Sequence, residues 1–314
     1  MENNIYLSVI VPVFNEEGAI ALLHKEILAV CEKIGQPFEI IFINDGSSDK
    51  TVAVLKKLTP IKIVNLRRNF GQTAAMDAGI KTAQGRYLAT LDGDGQNDPA
   101  DIPRLIEKLE KEDIDIVSGW RKNRKDTFFK KLSSRCAAVV RKFLIDDGIH
   151  DSGCSLKIYK KECFEKVSLY GEMHRFIPAI LKIKGFKIGE LEVNHRPRKT
   201  GKTKYSWKRG IKGLLDMFVV WFWQKYANRP LHLFGGAGLF LMAVSFIAGF
   251  SAVYGKIFLG RDLSNTSWTD LSMIGFFMGI MLFAFGLLAN MLSRIYFGAT
   301  KDDSYDIKEV IENK

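Results

Sequence analysis

The sequence predicts an α/β protein in which a mostly parallel sheet, covered on both faces by helices, is followed by a pair of membrane-spanning helices. Three observations predict it. Apolar, β-branched runs at 7–14, 38–44, 61–66, 87–91 and 114–118 alternate with helical patterns, the order expected of parallel strands joined by crossover helices. Polar residues cluster where those runs end. Two stretches near the C-terminal end, 231–254 and 271–293, contain no Asp, Glu, Lys or Arg, and each is long enough for the roughly 20 helical residues that cross a bilayer core. The implied organisation is a catalytic-type domain at 1–205, an amphipathic juxtamembrane helix at 206–229, two transmembrane helices within 230–298 and a polar C-terminal tail at 299–314.

Taken in order, the first run ends in Pro12, Asn15, Glu16 and Glu17, the second in Asp45, Gly46, Ser47, Ser48 and Asp49, and the fourth in Asp92, Gly93, Asp94, Gly95 and Gln96. Open α/β sheets bind ligands beyond the carboxyl ends of their strands, so these clusters predict a nucleotide site. No G-x-G-x-x-G follows a strand, which removes the dinucleotide fingerprint. Gly201-Lys202-Thr203 has the ending of a P-loop, but Arg196 stands where the partner glycine belongs. What remains is Asp92-x-Asp94, two carboxylates flanking a glycine at a strand end. Such a pair can hold a divalent ion that neutralises a diphosphate; Asp-Gly-Asp-Gly is equally good turn chemistry. Asp98-Pro99 reads as a helix cap followed by a first-turn proline.

Charge and the apolar runs then name a surface. The 314 residues carry 46 Lys+Arg against 35 Asp+Glu, a formal charge of +11. Nine basic residues face a single Asp between 119 and 142, and ten face a single Asp between 196 and 229, so the excess is local and calls for an anionic partner met at one face. At 207–226, Ile211, Leu214, Leu215, Phe218, Val219 and Phe222 fall on one helical face with Trp207, Trp221, Trp223 and Tyr226 near its ends, the make-up of a helix lying in the headgroup plane. A second amphipathic pattern spans 127–145 and reads equally well as an interfacial helix or an ordinary core-facing one. The basic segments border apolar ones and lack interleaved aromatics for base stacking, which excludes nucleic acid as the partner. Four cysteines without a C-x-x-C pair or His partners at zinc-finger spacing exclude a disulfide framework and a structural zinc site. Residues 1–15 lack a basic n-region and a long apolar core, so no signal peptide is expected there.

The combination resembles a known family. Val-Pro-Val-Phe-Asn-Glu-Glu (11–17), Asn-Asp-Gly-Ser-Ser-Asp (44–49), Arg-Arg-Asn-Phe-Gly-Gln (67–72) and Asp-Gly-Asp-Gly-Gln-Asn-Asp-Pro (92–99), in this order, resemble family 2 glycosyltransferases of the GT-A fold, a Rossmann-like, mostly parallel arrangement. Ser-Gly-Trp-Arg (118–121), Asp-Ser-Gly-Cys (151–154), His-Arg-Pro-Arg-Lys-Thr-Gly-Lys-Thr-Lys-Tyr (195–205) and the C-terminal hairpin extend the resemblance, over about 6–298, to the polyprenyl-phosphate glycosyltransferases, relatives of dolichyl-phosphate mannose synthase and bactoprenol-phosphate glucosyltransferases. The resemblance implies inverting transfer of one sugar from a UDP- or GDP-linked donor to a polyprenyl phosphate such as undecaprenyl phosphate, with Mg2+ or Mn2+ as cofactor.

Carried over by position, Pro12, Asn15, Glu17 and Asp45 would contact the nucleoside, Asp92 would lie near the ribose and diphosphate, and Asp94 and Gln96 would face the metal. Arg121, Lys131, Ser134 and Arg135 would receive the lipid phosphate, and Arg198, Lys202, Lys204 and Tyr205 would close over the diphosphate. Asp151 sits at the family's candidate base, either as a base or as a residue orienting sugar or ion; with Asp92 and Asp94 it completes the expected catalytic set. A phosphate monoester with a second pKa near 6 attacks with little help from a base. Cys154 reads as a small buried residue rather than a nucleophile.

The departures are informative. Many relatives pair two aspartates where this chain has Asn44-Asp45, and carry Ala and Leu where it has Gly93 and Gly95. Gln224 lacks the Q-x-x-R-W continuation of processive synthases, which favours a single transfer. The expectation is therefore a multi-pass protein of the cytoplasmic (inner) membrane, with its catalytic domain and both termini in the cytoplasm, meeting a nucleotide sugar and a lipid; a homo-oligomer is compatible. The competing class is a membrane-anchored nucleotide-binding or scaffolding protein without catalysis.

Overall fold

A computed structural model describes residues 5–122, 148–165, 167, 169, 173–197, 221–222, 225–226, 230–260, 267–299 and 307–313. The chain forms two compact units, 1–220 with 303–314, and 221–302.

The first unit is a sheet with helices on both faces. Its strands are β1 (Leu7–Val13), β2 (Phe38–Asn44), β3 (Ile61–Leu66), β4 (Tyr87–Thr90), β5 (Ile116–Trp120), β6 (Lys157–Lys160), β7 (Ile188–Glu192) and β8 (Ile307–Asn313), in the spatial order β7-β5-β6-β4-β1-β2-β3-β8. The central ladders β4-β1-β2-β3 are parallel, as is β5-β7, while β6 runs antiparallel between β4 and β5, and β8 antiparallel along β3. The sheet is thus mostly parallel at its centre and mixed at its flanks. All seven residues of β1 are buried, as a strand covered on both faces requires.

One face packs against α1 (Ile20–Ile34) and α4 (Ile102–Lys111). Ile20, Leu23, Ile27 and Cys31 of α1 and Ile102, Leu105, Ile106 and Leu109 of α4 point inward, the spacing of one helical face. Gly35, at φ 69°, closes α1 in the left-handed conformation that favours glycine. The opposite face carries α3 (Gln72–Thr82) and α5 (Ile177–Ile183), while the short α2 (Thr51–Leu55) follows β2. Gly79 of α3 lies so close to the sheet that an added Cβ would come within 2.5 Å of Ile10 Cγ2 and 2.6 Å of Ile43 Cδ1.

Two expectations shift. The fifth strand begins at Ile116 rather than 114, because Ile114 N–H donates to Leu109 O to finish α4 and Asp115 N–H donates to Lys187 O. The C-terminal stretch expected as a polar tail instead forms β8: Ile63 and Val64 of β3 pair with Ile311 and Val310, and Ile311 packs against the core while Val310, on the other side of the strand, is exposed.

The second unit contains α6 (Pro230–Leu259) and α7 (Ser267–Ala299). Pro230–Leu259 and Trp268–Leu292 are long and apolar enough to cross a membrane. Their mutual contact uses small residues: a Cβ on Gly238 would meet Gly279 O at 2.5 Å, and one on Gly286 would meet Gly235 N at 3.0 Å, the close backbone approach that substitutes for a hydrophobic driving force in lipid. Phe240, Phe246, Ile257, Phe277 and Met281 are exposed, which in water would be a large apolar patch. Trp221, Phe222, Lys225 and Tyr226 are helical, with Trp221 and Phe222 in ring contact with Tyr226; the rest of the expected interfacial helix, and the whole of 127–145, lie outside the described residues.

Candidate active site

The parallel strands bring three polar loops to one end of the sheet. After β1, Asn15 adopts φ 55°, a left-handed conformation that Asn tolerates, and its side chain and backbone clasp the loop after β2: Asn15 Oδ1 accepts from Ser48 N–H at 2.8 Å and Asn15 N–H donates to Ser47 Oγ at 3.0 Å. Glu17 Oε2 accepts from Lys50 N–H at 2.9 Å, and Glu17 N–H donates to Asp49 Oδ2 at 3.3 Å. Asn15 and Glu17 therefore fix the two loops to each other.

Pro12 is buried in β1 opposite Ile43. Residues 6 and 10 use their backbone groups toward β4, whose ladder with β1 ends at Ile10–Thr90. Pro12 faces that same side beyond the last rung, so its missing N–H costs no ladder bond.

Asp45 is 4% exposed and spends both carboxylate oxygens on backbone amides, accepting from Phe70 N–H at 2.7 Å and Gly71 N–H at 2.9 Å. Burial pushes its carboxyl above the ordinary range, against the pull of those two amides. Asp45 thus shapes the loop between β3 and α3. Gly46, at φ 67°, is required there, since a Cβ would lie 2.5 Å from the Arg68 carbonyl carbon and the Asn69 nitrogen.

The third loop carries the paired acids. Asp92 follows β4; its Oδ1 accepts from Gln72 Nε2 at 2.6 Å, and its N–H donates to Ser155 Oγ at 3.2 Å. Burial, and secondarily the Asp94 charge, push the Asp92 carboxyl up. Asp94 Oδ1 accepts from Gln96 N–H at 3.1 Å, and Gln96 O accepts from Arg196 N–H at 2.9 Å. Gly93 passes Val13 with no room for a Cβ, which would sit 2.6 Å from Val13 Cγ1, and Gly95 takes φ 70°. The departures seen in the sequence at these two glycines are thus geometric needs of this loop. Two neighbouring acids beside a glutamine suit a hard divalent cation that keeps water and diphosphate oxygens as its other ligands. Among the described residues no group of three or more His, Cys, Asp or Glu forms a ready-made metal cage, so an ion here would depend on the substrate.

Because β6 is antiparallel to β4, its first residue, Lys157, pairs with Thr90 and reaches the same end of the sheet. The preceding segment, 151–156, wraps the site. Asp151 and Arg121 form a bidentate pair: Arg121 Nε donates to Oδ2 at 2.7 Å, Nη2 to Oδ1 at 2.9 Å, and Arg121 N–H to Oδ2 at 3.3 Å, with side chains 8% and 10% exposed. This bears on two expectations. Asp151 has both oxygens engaged by a permanently charged guanidinium, an arrangement that suits the orienting alternative better than the base. Arg121, expected with Lys131, Ser134 and Arg135 at a lipid phosphate, is held by Asp151 through Nε and one Nη2 hydrogen, with its other N–H groups outside that pair. Cys154 is fully buried, and burial raises its thiol, which fits a packing role.

Between these elements lies a cleft of about 170 Å³ whose walls include Gln72, Asp92, Ser155, Lys157, His174 and Arg175. Asp92 was expected here and Gln72 lay in a recognised sequence stretch without an assigned role; Ser155, Lys157, His174 and Arg175 carried no signal, because their approach depends on the antiparallel strand β6 and on a short 3-10 turn, Met173–Arg175. His174 Nε2 accepts from Arg175 Nε at 3.3 Å, which puts its ring proton on Nδ1, 2.8 Å from Thr73 Oγ1. At the rim, His150 stacks on Trp120 at 4.7 Å and pairs with Glu190 at 2.7 Å. Lys131, Ser134, Arg135, Arg198, Lys202, Lys204 and Tyr205 lie outside the described residues.

Comparison with known proteins agrees with this geometry. The pattern described as Glycosyl transferase family 2 matches residues 8–168. A dodecaprenyl-phosphate galacturonate synthase of Rhizobium johnstonii is 38% identical over 98% of this chain and 94% of its own. An undecaprenyl-phosphate 4-deoxy-4-formamido-L-arabinose transferase of Aeromonas hydrophila is 30% identical over 98% and 94%. Among solved structures, glucosyl-3-phosphoglycerate synthase from Mycobacterium tuberculosis, in complex with Mn2+ and UDP-glucose, superposes with a TM-score of 0.53 at 16% identity, covering 69% of this chain and 79% of its own; that likeness establishes the GT-A fold. With its paired acids at the end of β4 and its sequence kinship along nearly the whole length, the chain belongs to glycosyl transferase family 2.

Proposed function

We propose that this glycosyltransferase moves a single sugar from a nucleotide diphosphate donor to the phosphate of a polyprenyl lipid, with inversion. The observation that carries the reading is the joining, in one chain, of an Asp92/Asp94 strand-end site to two helices apolar enough to cross a bilayer, and the names of the two curated relatives support it. In the reaction, an oxygen of the lipid phosphate attacks the anomeric carbon, the bond from that carbon to the diphosphate breaks, and the nucleoside diphosphate leaves with the electron pair. No proton has to be removed from the attacking oxygen of a phosphate dianion, which agrees with the commitment of Asp151 to Arg121. Asp94 and Gln96 would hold Mg2+ or Mn2+, whose contribution is to neutralise charge on the leaving diphosphate. Asp92, fixed by Gln72, orients the donor; Asn15, Glu17, Asp45 and Pro12 build the wall on which a nucleoside rests. Arg121, with Lys131, Ser134 and Arg135, receives the acceptor phosphate, and Arg198, Lys202, Lys204 and Tyr205 cover the diphosphate. The protein acts at the cytoplasmic face of the inner membrane as a multi-pass protein, with the catalytic domain and both termini cytoplasmic; homo-oligomerisation is read by its mass in nanodiscs.

The relatives' names leave the sugar open, since one donor is acidic and the other is not. The test uses the full chain in nanodiscs with undecaprenyl phosphate and labelled UDP- and GDP-sugars, with Mg2+ or Mn2+ and an EDTA control. Label moving into the lipid phase in a metal-dependent way supports the reading. Intact nucleotide binding without transfer from any donor would favour the non-catalytic anchor.

A further inference from the structure

The cleft beside Asp92 contains two cations whose charges are not matched by ion pairs among the described residues. Lys157 is 3% exposed, yet among the described residues its ammonium hydrogen-bonds only to the carbonyls of Ser152, at 3.3 Å, and Cys154. An ammonium has three N–H donors, so one is left over. Arg175 gives Nε to His174 and forms no ion pair with a described carboxylate, which leaves its terminal nitrogens to the cleft. The contrast is with Arg121 next door, whose charge Asp151 meets with two short bonds.

A buried cation with part of its hydrogen-bonding capacity unused is costly until an anion or acceptor completes it. Asp92, the one carboxylate in the cleft wall among the described residues, accepts from Gln72 through Oδ1 and makes no direct bond to Lys157. Burial draws the Lys157 ammonium down, while Cys154, Asp151 and Asp92 hold it up; a further carboxylate would add to the second side. Lys157 is level with Thr90, the last residue of β4, whereas Asp92 and Asp94 lie beyond that strand's end. The base of Lys157 is therefore set back along the sheet from Asp94, and an anion meeting it would lie apart from a diphosphate held there. Thr73 and His174 hold Arg175 from behind through a chain of bonds at 2.8 and 3.3 Å, the preorganisation expected of a recognition group.

We propose that Lys157 and Arg175 are specificity-determining residues that read a carboxylate on the donor sugar, so that the donor class is a nucleotide-linked uronic acid rather than a neutral hexose. This rests on the reading of the site as that of a nucleotide-sugar transferase. Sites built to bond a polar substituent reject analogues lacking it strongly, because their own groups are then left unpaired.

The test is a ratio. With the full chain in nanodiscs and undecaprenyl phosphate, kcat/KM is compared for UDP-glucuronate against UDP-glucose, UDP-galacturonate against UDP-galactose, and GDP-mannuronate against GDP-mannose. At least one acidic donor should exceed its neutral partner by about a hundredfold or more. Arg175→Gln should lower that ratio about tenfold or more, Arg175→Lys should retain more of it, and Lys157→Met should lower it where the variant folds, since each about 1.4 kcal/mol of lost pairing is a factor of ten. Transfer of neutral and acidic sugars at equal rates by the wild type overturns the proposal while leaving the transferase reading intact. So does a loss in Arg175→Gln that is equal for both donors, or one confined to the KM for undecaprenyl phosphate, which would assign these cations to the acceptor. Failure of every donor with UDP and GDP still bound overturns the transferase reading itself, and the proposal with it.

Discussion

Replacing Asp151 by Asn separates two roles that a sequence motif cannot distinguish. The carboxylate accepts three N–H groups of Arg121 at 2.7, 2.9 and 3.3 Å, with both side chains about nine-tenths buried, so solvent screening removes little of the interaction. Removing one member of a buried pair costs about 3–5 kcal/mol, because the remaining charge is stranded. Asn keeps one acceptor oxygen, which puts the expected loss near the lower end, about 3 kcal/mol. At about 2–4 °C per kcal/mol for a domain of this size, the apparent midpoint should fall by about 6–12 °C. Thermal unfolding in nanodiscs measures that, and the pair Arg121→Met with Asp151→Leu should recover most of it, since a well-packed apolar pair can replace a buried ionic one. Activity per folded molecule should fall through a raised KM for the lipid phosphate, with kcat changing by less than about tenfold. A general base would behave otherwise: its loss costs about 10²–10⁴ in rate and removes the acidic limb of the pH–rate profile. Asp151→Asn with wild-type stability and a thousandfold lower kcat would refute the orienting role.

Three further outcomes follow from other parts of the molecule. Asp94→Ala should nearly abolish transfer and leave unfolding stability within about 0.5 kcal/mol of wild type, because among the described residues Asp94 accepts only the local Gln96 amide; near-wild-type transfer would remove the metal assignment. Gly79→Ala should destabilise by about 1–3 kcal/mol through overpacking against Ile10 and Ile43, read as a lower urea midpoint with unchanged activity per folded molecule. At Asp115, burial raises the carboxyl's proton affinity, but Lys160 Nζ at 2.8 Å and Lys187 N–H at 2.9 Å win and hold its pKa below the ordinary range. A depressed pKa stabilises the fold above the unfolded value near 3.9 and loses that contribution as pH falls through the folded one. Asp115→Asn should therefore lower the midpoint by about 1 kcal/mol at pH 6, and the gap to wild type should narrow below about pH 4.

The central strands were legible because burial on both faces forces continuous apolar runs such as Leu-Ser-Val-Ile-Val-Pro-Val, and the acids at their ends stand out against them. The paired carboxylates at 92 and 94 were readable for the same reason. β6 was not: Lys-Ile-Tyr-Lys is four residues long with lysine at both ends, and only its antiparallel pairing with β4 makes Lys157 part of the site. Arg175 depends likewise on a turn that leans against Thr73. The bond between Arg121 and Asp151 crosses thirty positions, so each looked like an isolated charge with its own ligand. Local pattern reports which groups are present; which of them cancel one another is settled by tertiary pairing.

The strand at 307–313 has a consequence for how the protein is made. Ile61 pairs with Asn313, so the outer rim of β3 waits, amides and carbonyls bare, until residue 313 has been translated. An uncovered rim of that kind invites pairing with other chains, and closing so long a loop is slow. Everything between, including both apolar helices, must be synthesised before the sheet can be finished. Completion of the sheet is thereby tied to successful handling of the hairpin. A chain whose second helix failed to turn back would leave the rim of β3 unpaired, a defect that quality-control proteases and chaperones recognise without any reference to catalysis.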